Sequence, residues 1–201
     1  MIFGDLGADV IKVERPGTGD STRGWGPPFD EAGQSAYFLS INRNKVSLAA
    51  DLSDPADRAL VAELMKEADV VVENFLPGAL ARYGMAPADL RRLYPRLFWC
   101  SISGFGPSST RPGYDYVVQA EQGWMSITGE RNGAPMKAGV ALADLVTGKD
   151  AAIATLAALV ARARTGEGAH VHVSLAASAA AALINAGQNV LVSGSDAARW
   201  G

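Results

Sequence analysis

The chain has 201 residues, 48% of them hydrophobic and 19% charged, which is enough to bury a core and too apolar for a disordered segment. A net charge of -3 and a pI near 5.4 speak against nucleic-acid binding through bulk charge, and the lone Cys100 excludes an internal disulfide. The amino terminus lacks the basic region and apolar core of a secretory signal. The charge-free run Ala151 to Ala161 is about half the length of a membrane span, so a cytoplasmic protein without a membrane segment is expected.

Val10 to Glu14 alternates apolar and charged residues and runs into Arg15-Pro16-Gly17, the pattern of a short strand entering a loop. Residues 16–35 hold five Gly and three Pro, which punctuate the backbone too often for regular structure. Tyr37 to Ile41 and Val46 to Ala50 read as short strands around Asn42-Arg43-Asn44-Lys45. Asp54-Pro55-Ala56-Asp57 supplies a cap, a proline at the first helical position and an acid in the first turn. It predicts a helix from Pro55 to Glu67 with Leu60, Val61, Leu64 and Met65 on one face. Asp69 to Glu73, centred on consecutive valines, has the composition of a strand buried on both faces of a parallel sheet.

Pro77 to Tyr83 and Pro87 to Tyr94 follow as short helices, and Leu97 to Ile102 as a strand ending in Gly104-Phe105-Gly106-Pro107. Helices are predicted over Asp115 to Met125 and Ala151 to Arg164, then a strand from Val171 to Leu175 and an alanine-rich helix to about Val192. Strands alternating with helices imply an α/β fold, Rossmann-like, with a mainly parallel sheet flanked by helices.

In such sheets ligands gather beyond the carboxyl ends of the strands, where Arg15 and Asn74 stand. With Arg82, Arg43 and Lys45 nearby in sequence, several cations could converge on a phosphate-bearing ligand, although most surface Arg and Lys only solvate a face. Neither a Walker loop nor a Gly-x-Gly-x-x-Gly fingerprint occurs. His170 and His172, two apart on a strand, share a face but lack a third ligand at sensible spacing, so no metal is expected. Asp144 lies in the otherwise apolar run Val140 to Val146, where a carboxylate is costly unless hydrogen bonds or chemistry compensate. Spacing alone leaves two readings, a helix cap and a catalytic group, and caps are the commoner.

Taken together the motifs resemble the class III CoA-transferases, which include formyl-CoA and carnitine CoA-transferase and have α-methylacyl-CoA racemase as a relative. The resembling pieces are Leu6-Gly7-Ala8-Asp9-Val10-Ile11-Lys12-Val13-Glu14, Asn42-Arg43-Asn44-Lys45, and Val72-Glu73-Asn74-Phe75 with Pro77-Gly78 and Arg82. Ser103-Gly104-Phe105-Gly106, Gly113-Tyr114-Asp115 and Ala143-Asp144 with Thr147-Gly148 complete them, in order along the whole chain.

The resemblance implies that Asp144 is the catalytic aspartate, which takes the acyl group of a thioester and passes through an aspartyl-CoA intermediate. Arg15, Asn74, Phe75 and Arg82 match positions that hold the CoA nucleotide, and the turn containing Ala50, Asp51 and Ser53 matches one that lines it. Tyr114 and Asp115 match residues beside the reacting acyl group. The implied partners are an acyl-CoA and a carboxylic acid acceptor, with coenzyme A as substrate and no separate cofactor.

In the racemase branch a histidine works with the aspartate, but Tyr114 stands there, and a phenol of pKa near ~10 is a poor base at neutral pH. Transfer is therefore the expected reaction, with racemisation and a catalytically inactive CoA-binding or assembly fragment as the alternatives. Members of the family have a strand ahead of the Leu-Gly-Ala-Asp motif, continue for about as long again, and form interlocked homodimers. The chain is thus expected to be a large-domain portion, ending within the run Ala198-Arg199-Trp200-Gly201.

Overall fold

The computed structural model describes residues 1–199, so the last two residues of that closing run lie outside it. The chain divides into two compact units, Met1–Glu67 and the remainder from Ala68.

The first unit runs through helix α1 (Ile2–Asp5), strand β1 (Ile11–Glu14), a 3-10 turn (Ser21–Gly24), helix α2 (Ala36–Asn42), strand β2 (Val46–Ala49) and helix α3 (Pro55–Glu67). β1 and β2 pair in parallel, Ile11 opposite Val46 and Glu14 opposite Ala49. Helix α3 starts as its sequence predicts: Asp54 Oδ1 accepts from the backbone N–H of Ala56 at 2.8 Å and of Asp57 at 3.1 Å. Of the expected apolar face Val61 is buried, but Leu60 is exposed.

The stretch Tyr37 to Ile41 is helical, against the strand expected of it. Its aromatic and branched residues favour extended backbone locally. Ser35 overrides them by capping the first turn, its Oγ accepting from Phe38 N, and the helix buries Phe38 and Asn42, four apart on one face.

The second unit contains β3 (Val70–Glu73), a 3-10 turn (Ala79–Tyr83), α4 (Pro87–Leu93), β4 (Phe98–Ser103), α5 (Asp115–Glu121), α6 (Trp124–Ile127), α7 (Leu142–Thr165), β5 (His170–Ser174), α8 (Leu175–Ala181) and α9 (Asn185–Ser193). Its sheet is parallel throughout, in the order β3-β4-β5, so the architecture is α/β with helix-flanked parallel sheets. The valine strand was expected to be covered on both faces. Instead, among the described residues, β3 pairs only with β4 and Val72 stands open, while the central β4 holds Phe98, Trp99 and Cys100 with no exposed surface.

Helix α7 lies over the sheet and meets Phe98 and Cys100 through Ala151 and Ala158, small side chains that let it approach closely. Its buried Thr147 and Thr155 hydroxyls donate to the carbonyls of Ala143 and Ala151, so neither is orphaned. α7 begins at Leu142, nine residues before the expected start at Ala151. The helix expected over Asp115 to Met125 breaks at Gly123 (φ 87), and the alanine-rich helix bends by 76° next to Ile184 (φ 46). Among the described residues no single helix is long and apolar enough to cross a membrane.

Candidate active site

β4 and β5 are parallel and α7 connects them, so α7 runs back along the sheet and its amino end lies where the strands end. Asn74 follows β3 and Gly104 follows β4, which puts both at that same edge, where α/β sheets receive ligands. Asp144 is the third residue of α7, inside its first turn. The N-cap position belongs to Ala141, which has no side-chain oxygen to offer, so Asp144 is not the cap.

The cap comes from another helix. Asp115 Oδ1 accepts from the N–H of Ala143 at 2.7 Å and of Asp144 at 3.3 Å. The fully buried Gln119 holds the other oxygen: its Nε2 donates to Asp115 Oδ2 at 2.6 Å and to the Val140 carbonyl at 3.3 Å. Gln119 Oε1 then accepts from Ala138 N at 2.8 Å, so one amide ties α5 to the segment leading into α7. Sequence reasoning missed Gln119. The signal was an acid and an amide four apart on a helix otherwise lined by Val117 and Val118.

No hydrogen bond or ion pair reaches the Asp144 carboxylate among the described residues. Asp144 keeps an open side, but the protein massed around it strips hydration and, with the negative charge of Asp115 second, pushes its carboxyl up to about 6. A group at that value is mostly ionised at neutral pH and more basic than a free aspartate, so it suits nucleophilic attack.

The loop from β4 to α5 is fixed by a backbone crossing. A Cβ on Gly104 would lie 2.4 Å from Gly113 Cα, a distance no side chain survives, so both positions require glycine. Arg111 clamps the loop from outside, its guanidinium 4.0 Å over the Phe105 ring and paired with Glu121. Tyr114 follows at once, exposed and stacked on Tyr116 with ring centroids 6.1 Å apart. The structure thus brings Asp115 and Asp144 together, with Tyr114 the residue before Asp115.

Asn74 and Phe75 are exposed in the segment after β3, where Glu73 accepts from Phe75 N at 2.8 Å. Arg82, on the following 3-10 turn, lies 4.7 Å over the Tyr83 ring with its side chain exposed.

In the first unit Arg15 follows β1, and Ala50, Asp51 and Ser53 follow β2 at the same sheet edge. Asp51 takes the N–H and hydroxyl of Ser53 at 2.8 and 2.7 Å. Those bonds lower its pKa, and Arg15 and Arg58 add to the effect. Asp57 and Arg58 of α3 hold this turn, Asp57 by accepting from Asp51 N and Arg58 by donating to the carbonyls of Leu52 and Ser53.

His170 and His172 sit with ring centroids 4.4 Å apart, and His170 Nε2 is 2.9 Å from Ser101 Oγ. No group of three potential metal ligands occurs among the described residues.

The sequence pattern of CoA-transferase family III extends over residues 1–201. A succinate–glutarate CoA-transferase from Agrobacterium fabrum is 49% identical across the whole chain, which covers 52% of that relative. The succinyl-CoA:glutarate CoA-transferase of Homo sapiens is 46% identical, and the chain covers 46% of it. Among solved structures, a CAIB/BAIF family protein from Brucella suis superposes with a TM-score of 0.94 at 47% identity, over 99% of this chain and 54% of that one. The chain spans about half the length of the curated relatives it matches.

Proposed function

Because the chain belongs to CoA-transferase family III, we propose that it carries the nucleophile and the CoA-binding residues of an enzyme that moves CoA from an acyl-CoA to a free carboxylic acid. The observation that carries this reading is the Asp144 carboxylate, unpartnered among the described residues and raised to about 6 at the amino end of α7.

An Asp144 oxygen attacks the thioester carbonyl, the C–S bond breaks, and CoA leaves as the thiolate, with a mixed anhydride left on the aspartate. The thiolate then attacks the aspartyl carbonyl of that anhydride and releases the first acid as its carboxylate, which gives the aspartyl-CoA thioester. The acceptor carboxylate attacks this thioester, and the returning thiolate cleaves the second anhydride on its acyl side. Asp144 is regenerated, and the thioester energy is conserved throughout.

Arg15, the Ala50–Ser53 turn, Asn74, Phe75 and Arg82 supply CoA contacts in this reading. Arginine suits the phosphates because its planar fork donates two parallel hydrogen bonds. Tyr114 borders the reacting acyl group, and Asp115 holds the first turn of α7. The two relatives above carry succinate or succinyl-CoA and glutarate in their names, so a short dicarboxylic acid is the acceptor we assign.

The test is to mix the protein with succinyl-CoA, quench with hydroxylamine and map the Asp144 peptide by mass spectrometry. A hydroxamate at Asp144 is expected, and Asp144→Ala should lose it together with about 10³-fold or more of any exchange activity. Labelling elsewhere, or equal exchange in the variant, overturns the assignment.

A further inference from the structure

The motif Asn42-Arg43-Asn44-Lys45 is not used by the reaction above, and its Asn42, Arg43 and Lys45 line a cavity of about 300 Å³ in the first unit. Lys12, Arg23, Arg43 and Lys45 supply its charge, and Phe38 and Leu39 an apolar wall. Three of these cations are already neutralised. Arg23 is bound to both oxygens of the buried Glu14, each at 2.8 Å, Lys12 to Asp20 at 2.5 Å, and Arg43 to Asp5 at 2.7 Å. Ser47 and the backbone of Asp20 fill the remaining acceptor sites of Glu14 at 2.8 Å.

Lys45 differs from the others. No carboxylate of the described residues forms an ion pair with it; its Nζ donates to Asn42 Oδ1 at 2.9 Å, a neutral acceptor. Asn42 is itself buried and held through Nδ2 to the Phe38 carbonyl at 3.0 Å, so it steadies the ammonium in the cavity without cancelling its charge. Asn44, at φ 62, turns the chain so that Lys45 comes back beside Asn42; asparagine tolerates that left-handed backbone better than most residues. Burial first, and the like charge of Lys12 second, hold Lys45 below the usual lysine range, while the Met1 amino group, Asp20 and Glu14 act the other way. A half-buried cation with no carboxylate bound to it among the described residues, held only by Asn42 and the Met1 amino group, gains from an incoming anion.

We infer that the unit Met1–Glu67 holds a binding site for a small organic carboxylate, with the acid on Lys45 and its hydrocarbon body against Phe38 and Leu39. The volume lies at the small end of ligand pockets, which fits a short acid. The inference concerns this unit alone and stands whether or not Asp144 transfers CoA.

Glutarate and inorganic phosphate are the probes, followed by calorimetry and by NMR of lysine labelled at Cε. Glutarate should bind saturably and raise the Lys45 titration, and Lys45→Met should weaken it about tenfold or more while Lys45→Arg stays within about threefold. The NMR titration needs no variant beyond assignment, so a Lys45→Met chain that fails to fold leaves the result readable. Absence of a Lys45 response to glutarate, unchanged affinity in a folded Lys45→Met chain, or tighter binding of phosphate than of glutarate would each overturn the carboxylate site.

Discussion

Glu14 and Asp144 are carboxylates of opposite circumstance. Glu14 closes β1 with a buried side chain and accepts from the Arg23 guanidinium, Ser47 and the Asp20 backbone. The Arg23 bonds come first among the causes that bring its pKa down to about 2, against the opposing pull of burial. Asp144 has the hydration loss without the donors, faces Asp115, and is pushed the other way, up to about 6. The contrast shows that burial alone does not decide what an acid does. A carboxylate whose acceptor sites are filled is structural, and one left unfilled beside a like charge is available for chemistry.

The contrast is broken most severely at Glu14. Glu14→Gln strands Arg23 and should cost about 2–3 kcal/mol in chemical denaturation at pH 7. Because the folded value lies below the ordinary 4.5, that stability is fully present above 4.5 and is lost as pH falls toward about 2. The deficit of the variant should therefore shrink over the same window.

A smaller effect on Asp144 is expected from Asp115→Asn, which keeps an oxygen to cap α7 and removes the charge that faces Asp144, while its amide nitrogen now meets the Gln119 Nε2 donor. The Asp144 carboxyl, followed by carbon NMR, should titrate lower by up to about one unit while staying above the ordinary range, since burial is the larger cause.

Asp144→Asn has the smallest expected effect on stability, and its sign is opposite to that of Glu14→Gln. A folded value raised from 3.8 to about 6 penalises the fold as pH rises through that interval. The variant should be more stable by about 1 kcal/mol above pH 6, an amount already discounted for the open side of the residue, and should match the parent below pH 4. Loss of stability at pH 7 would mean that Asp144 has a structural partner.

Local signals with one dominant cause were legible along the chain. Asp54-Pro55 announced the start of α3 to the residue, and the Val-rich and His-Val-His segments announced strands of a parallel sheet. What misled were features decided at a distance. Tyr37 to Ile41 has strand composition, but a serine cap and the burial of Phe38 and Asn42 make it a helix. The first turn of α7 has no cap of its own in sequence, because its cap is Asp115, 28 residues earlier. The valine run suggested a central strand, yet the deepest strand is β4, whose Trp99, Cys100 and Ser101 disguised it. At the candidate site the acid in an apolar run was visible, while Gln119 was not, since a buried amide shows its purpose only once its partners are in space.

The crossing of Gly104 and Gly113 has a consequence for how the site comes apart. One glycine leaves the innermost strand of the second unit and the other leads directly into Tyr114 and Asp115, and the Gly104 carbonyl also receives the Ala176 N–H at the start of α8. Backbone touching backbone leaves no side chain to act as a hinge. The surroundings of Asp144 should therefore melt with the sheet rather than ahead of it, and loosening that corner means unravelling the core strand.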